Sequence, residues 1–163
     1  SVGMALQQIG FRLLNDIVWE KPNPPPNLGC RCFTHATEML LWATKAPKGS
    51  RDRYTFNYKE MKQLNGNRQM KNVWRFSAPG NDEKQHGKHP TQKPVALIEQ
   101  CLRASTSIGD LVFDPFSGSA TTGVAALNLG RRFVGCEIDA KFARLASKRL
   151  ASADAESQSA NAL

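Results

Sequence analysis

The chain has 163 residues, with 22 Lys/Arg against 14 Asp/Glu and a formal net charge of +8, length enough for one domain with a real core. No apolar run is long enough to span a bilayer, and no basic-then-apolar segment of the secretory kind opens the sequence. Cys30-x-Cys32 lacks the spacing and the second pair of a zinc site, and His86-x-x-His89 has no cysteine pair beside it. The residues therefore argue against a metal centre and for reduced thiols in a cytoplasmic protein.

In chain order, Val2, Ala5, Leu6, Ile9 and Leu13 predict an amphipathic helix over 2–14. Asp16–Trp19 reads as a buried strand, and Pro22–Asn27 as a stiff extended loop, because prolines lack donors and fix φ. Glu38–Ala43 is a further strand candidate. Ala46–Lys88 is polar and predicts short strands and turns, with Tyr54, Phe56, Tyr58, Trp74 and Phe76 set among its charges. Trp19, Trp42, Trp74 and Phe76 are expected in the core. Pro94 opens a helix through Ala104. The pattern continues with a strand at Leu111–Phe113, a helix at Thr121–Leu129 closed by Gly130, a strand at Arg132–Gly135 and a helix at Lys141–Leu150. Ser152–Leu163 is small and polar, and is expected to be disordered.

The charge is localised. Between Lys45 and Lys93 lie twelve Lys/Arg and only Asp52, Glu60, Asp82 and Glu83 as acids, so this segment carries the whole excess. An excess confined to one segment points to a polyanion-facing surface rather than to solubility alone.

Leu111–Asp139 carries the chemistry. A strand, a Gly/Ser turn, a helix, a second strand and an acidic end make a unit that holds a nucleoside-containing cofactor: the turn admits a ligand and the helix offers free N–H groups. The turn is not a phosphate loop, since no Lys-Ser/Thr follows its glycines. Gly118 and Gly123 leave only G-x-x-x-x-G, short of the dinucleotide pattern. Asp114 would repel a pyrophosphate but suit an ammonium, and Glu137 stands near the offset of a ribose-binding acid. These features favour S-adenosylmethionine over NAD.

Asp114-Pro-Phe-Ser-Gly-Ser-Ala-Thr-Thr122 resembles the cofactor motif of the β-group amino DNA methyltransferases, which methylate adenine N6 or cytosine N4. His89-Pro-Thr-Gln-Lys-Pro94 resembles the second cofactor motif that precedes it in that group. Asn15–Asn23, Phe33–Glu38 and Leu41–Lys45 are similar to segments of the adenine-N6 members, so the likeness covers about Leu6–Leu150. It implies an α/β fold with a doubly wound, mainly parallel sheet, incomplete in this chain. Residues 1–44 would form the C-terminal part of the catalytic subregion, 45–88 a basic, DNA-facing target-recognition segment, 89–150 the cofactor subregion and 151–163 a disordered tail.

The resemblance also assigns roles. Asp114, Phe116, Gly118, Ser119 and Thr121 would line the cofactor, Glu137 would hold its ribose hydroxyls, and Thr91 and Lys93 would close over its carboxylate with help from His89. Lys21, Arg31, Arg51, Arg53, Arg68, Lys71 and Arg75 are the candidate contacts to double-stranded DNA, with Lys59 and Lys62 beside them and Trp74 or Tyr54 as a wedge. Ala120 stands where the family has Gly; at positive φ it would cost on the order of 1 kcal/mol and weaken cofactor affinity.

The Asp/Asn-Pro-Pro-aromatic tetrapeptide of the family is missing. The chain is accordingly expected to be the C-terminal part of an enzyme whose catalytic residues precede Ser1. The expected activity of the whole protein is adenine-N6 methylation in DNA, with a cognate restriction endonuclease and a homodimer as further partners. The alternatives are a cytosine-N4 DNA enzyme, an RNA or protein methyltransferase, and a non-catalytic S-adenosylmethionine- or DNA-binding module.

Overall fold

A computed structural model describes residues 1–45 and 54–160. The candidate DNA contacts Arg51 and Arg53 lie outside the described residues. The chain divides into two compact units, Ser1–Ser77 and Ala78–Leu163, so the boundary falls before the 88/89 division expected from the motifs.

In the first unit, α1 (Val2–Gln8) is followed by Gly10 at φ +91°. This left-handed backbone suits glycine and ends the helix. The chain then enters β1 (Arg12–Glu20). The helix expected over 2–14 thus spans two elements, and Leu13 is a strand residue paired with Ala43. Its spacing from Ile9 matched a helical face by coincidence, since a strand places Leu13 by alternation instead. β1 is central in a three-stranded sheet, between β2 (Thr37–Thr44), which is antiparallel to it, and β3 (Val73–Arg75), which is parallel.

Alternation along β1 buries Ile17 and Trp19 on one face. The Trp19 indole N–H donates to the Phe76 carbonyl (2.7 Å) and that of Trp74 to the Lys71 carbonyl (2.9 Å), so both buried indoles are satisfied. Trp42 is half-buried, its ring packed on those of Tyr54 (5.7 Å) and Phe56 (5.2 Å). The segment expected to hold only short strands and turns also forms α2 (Tyr58–Leu64), whose Met61 is buried.

In the second unit, β4 (Leu111–Asp114), α4 (Thr121–Asn128) and β5 (Arg132–Gly135) form a strand–helix–strand unit. Its strands pair in parallel from Leu111↔Arg132 to Asp114↔Gly135. α3 (Val95–Ser105) supplies Leu102 to a core of Val112, Ala125, Ala126 and Leu129, flanked by Val95, Ile98 and Phe133. Helix α4 packs close because Gly123 has no side chain. A Cβ there would lie 2.6 Å from Leu150 and 2.7 Å from the Phe133 ring. Arg131 is buried and ties the ends of α3 and α4 together, donating to the Thr106 carbonyl (3.0 Å), the Thr106 hydroxyl (3.1 Å) and the Leu129 carbonyl (2.5 Å).

The expectation for the C-terminal tail needs correction. α5 runs from Ala140 to Ala160, so residues 151–160, expected to be a disordered tail, are helical. Alanine favours helix, Ala153 is buried, and Ser152 meets the His86 ring at 3.0 Å. Two of the three strand pairings among the described residues are parallel, in line with the α/β fold expected, and the third, β1 with β2, is antiparallel. Among the described residues no helix is long and apolar enough to cross a membrane, and no group of His, Cys, Asp and Glu could hold a metal ion.

Candidate functional site

The turn from β4 into α4 is held by its own chain. Asp114 ends β4, and its carboxylate accepts the Phe116 N–H (3.0 Å) and the Thr122 hydroxyl (2.7 Å). Ser117 N–H donates to the Cys136 carbonyl (2.9 Å), which keeps the turn over the end of β5. Gly118 takes φ +54°, and its N–H donates to Glu137 (2.8 Å); the other carboxylate oxygen of Glu137 accepts the Asp139 N–H (2.8 Å). Both acids expected to face a ligand therefore also fasten the loop.

Ala120 has φ +56° and ψ +37°, and it is fully buried. The strain expected of alanine at this position is real, about 1–2 kcal/mol relative to right-handed backbone. Its methyl does not line the site, so that strain acts on the loop rather than by touching a ligand.

The loop and the start of α4 form one side of a cavity of about 190 Å³; the segment His89–Lys93 forms another. Eight of the nine expected cofactor residues line it: His89, Thr91, Lys93, Asp114, Phe116, Gly118, Ser119 and Thr121. Glu137 does not; its carboxylate accepts the Gly118 N–H instead. His89 stands beside Gly118. The His89 ring packs edge-on against Phe142 (4.2 Å between centroids), and its Nε2 is 3.2 Å from where a Gly118 Cβ would stand. The other ring nitrogen, Nδ1, accepts the Thr91 N–H (3.3 Å). The cavity thus combines a carboxylate, an ammonium from Lys93, hydroxyls, an exposed aromatic ring at Phe116 and the N-terminus of α4. Such a set can hold a zwitterionic ligand with an attached heterocycle.

Three residues not singled out in the sequence complete this structure. Gln92 lines the cavity and donates its side-chain amide to the Glu83 carbonyl (2.9 Å). The Glu83 carboxylate accepts the Val95 N–H (2.9 Å) at the start of α3; burial raises its pKa, against the lowering effect of that bond and of Arg149. Arg149 is buried and donates to the Ser119 carbonyl (2.7 Å) and to the hydroxyls of Ser119 and Thr121 (3.0 Å each). Burial lowers its pKa, opposed by Glu83. A basic residue on a polar helix reads as solvent-facing in sequence, so only the fold reveals it.

The candidate DNA contacts belong to the first unit. Arg31, Arg68, Lys71, Lys59 and Lys62 are exposed. Arg75 is exposed, with Glu20 at 3.7 Å. Lys21 is half-buried, paired with Glu38 at 2.5 Å and 4.8 Å from the Trp19 ring centre, so its charge is already engaged.

A family model described as DNA methylase matches residues 1–148. The Type II methyltransferase M2.DpnII of Streptococcus pneumoniae is 55% identical over 150 residues, covering 92% of this chain and 55% of that protein. M2.LlaDCHI of Lactococcus lactis subsp. cremoris is 53% identical with the same coverage. The crystal structure of an M1.HpyAVI–SAM complex superposes with a TM-score of 0.73 at 36% identity, covering 89% of this chain and 65% of that one. The chain spans about half the length of the two relatives. With the fold, the loop and both sequence motifs in agreement, the chain belongs to the N6/N4 DNA methylase family.

Proposed function

We propose that the second unit binds S-adenosylmethionine and that the whole protein transfers its methyl group to an exocyclic amine of DNA, adenine N6 in the first place. The observation that carries this is the meeting of two motifs, His89–Lys93 and Asp114–Thr122, around one cavity. The residues present fit the cofactor. Lys93 and the start of α4 offer positive charge to its carboxylate, Asp114 retains lone pairs for its ammonium, and Phe116 offers a face to its adenine. Glu137 is assigned to the ribose hydroxyls through its remaining lone pairs, its carboxylate anchored beside the cavity by the Gly118 N–H.

The cofactor supplies an activated methyl group; the chain's own residues bind and orient it, and positioning supplies much of the rate in such a transfer. The amine needs an acceptor for its protons, and that acceptor is assigned to an Asp/Asn-Pro-Pro-aromatic segment, which the 163 residues do not contain. Duplex DNA is the proposed macromolecular partner, met by the basic side chains of the first unit. The same reading places the protein in the cytoplasm, as a homodimer beside a cognate restriction endonuclease; the Type II names of the relatives support that pairing.

Calorimetric titration of the chain with S-adenosylmethionine and with NAD tests the cofactor. S-adenosylmethionine is expected to bind and NAD not to; tighter binding of NAD, or no heat with either, overturns the proposal.

A further inference from the structure

Ala120 is the weak point of the loop, a buried non-glycine residue in left-handed backbone between two residues that line the cavity. Such a conformation persists only where its surroundings over-determine it. Ala120 N–H donates to the Ser117 carbonyl (2.7 Å), and the side chains and carbonyl flanking it meet one buried group. Arg149, 5% exposed on α5, directs a single guanidinium nitrogen to oxygens on both sides of Ala120: the Ser119 carbonyl at 2.7 Å, the Ser119 hydroxyl at 3.0 Å and the Thr121 hydroxyl at 3.0 Å. We infer that Arg149 is a positioning residue for the cofactor cavity, clamping residues 119–121 in the bent form that points the N-terminus of α4 at the ligand.

Glu83 opposes the lowering of the Arg149 pKa that burial causes. Glu83 also accepts the Val95 N–H, and its carbonyl holds Gln92, a residue of the opposite wall. The inference rests on the cofactor reading above, and its consequence is specific. Arg149 matters to the ligand because residue 120 is alanine, so glycine at 120 should relax the requirement.

The experiment is a double-mutant cycle between Arg149→Lys and Ala120→Gly, with calorimetric affinity for S-adenosylmethionine and amide hydrogen exchange of residues 118–122 in the ligand-free chain as readouts. Lysine keeps the charge and three donors, but its nitrogen ends one bond short of the guanidinium nitrogen that makes all three contacts. Arg149→Lys is expected to weaken binding about tenfold and to speed exchange at 118–122, while Ala120→Gly in the same chain recovers at least about threefold of the affinity. Affinity within about twofold of wild type in Arg149→Lys, or strict additivity of the two changes, overturns the inference. If Arg149→Lys fails to fold, the double variant decides: folding and binding support the clamp, whereas failure there makes Arg149 a general anchor of α5. A wild-type chain that does not bind S-adenosylmethionine sinks the cofactor reading, while the exchange data still judge the clamp.

Discussion

The most informative single change is Gly118→Ala, because residue 118 is where the two motifs touch. Three effects can be weighed. Left-handed backbone at φ +54° costs an alanine about 1–2 kcal/mol relative to glycine. The new methyl would stand 3.2 Å from His89 Nε2, and Phe142 limits the retreat of that ring, so the bond from Thr91 N–H to His89 is loosened at about 0.5–1.5 kcal/mol. Against these, alanine restricts the unfolded chain and returns about 0.4–1 kcal/mol. The net expectation is a destabilisation of about 0.5–3 kcal/mol, centred near 2, or local opening about twentyfold more frequent. Tryptophan fluorescence is the wrong probe, since Trp19, Trp42 and Trp74 all lie in the first unit. Hydrogen exchange at residues 118–124 reads the loop directly, and calorimetry reads the ligand. Wild-type protection together with wild-type affinity for S-adenosylmethionine would refute the reasoning, because residue 118 would then carry neither the strain nor the contact.

Gly123→Ala should lower the melting temperature. Overpacking against Leu150 and Phe133 costs about 1–3 kcal/mol, which outweighs the gain of about 1 kcal/mol in helix propensity; a raised melting temperature would show that α4 has room to move. Burial pushes the Cys101 thiol up to about 11 from an ordinary 9.0. At pH 8 iodoacetamide should therefore label exposed Cys30, Cys32 and Cys136 and spare Cys101, as read by mass spectrometry. The folded chain keeps this proton where the unfolded one has lost it, so the contribution of Cys101 to stability falls as pH rises from 9 toward 11. Replacing Arg68, Lys71 and Arg75 together by alanine should flatten the slope of log affinity for duplex DNA against log salt by about two to three, while Lys21→Ala, whose charge is spent on Glu38, should change it less; an unmoved slope in the triple variant removes those three from the DNA surface.

The parts legible in the sequence were those whose partners are near in the chain. The run from Leu111 to Gly135 declares itself because each strand and helix ends on its own turn residues, and Gly118 and Glu137 meet across nineteen positions of one local unit. Thr91 and Lys93 came from motif likeness, and the fold then put them around the same cavity. The end of α1 was misplaced because apolar spacing ran on past Gly10, where the period changes from helix to strand. The last turns of α5 look like tail in the sequence because composition cannot show that Ala153 is buried. Arg149 escaped for a different reason. Its three acceptors lie 28 and 30 residues upstream, and no periodicity marks a charge that points inward.

The bonds of Asp114 and Glu137 within the turn have one more consequence. Phe116, Thr122, Gly118 and Asp139 already occupy a lone pair of each carboxylate oxygen. The loop is therefore a rigid template, its backbone entropy surrendered when the chain folds and not when a ligand arrives. Binding to such a template avoids the ordering penalty that weakens association with floppy loops. Selectivity should accordingly lie in how long a ligand stays, since a wrong ligand cannot reshape the template to suit itself.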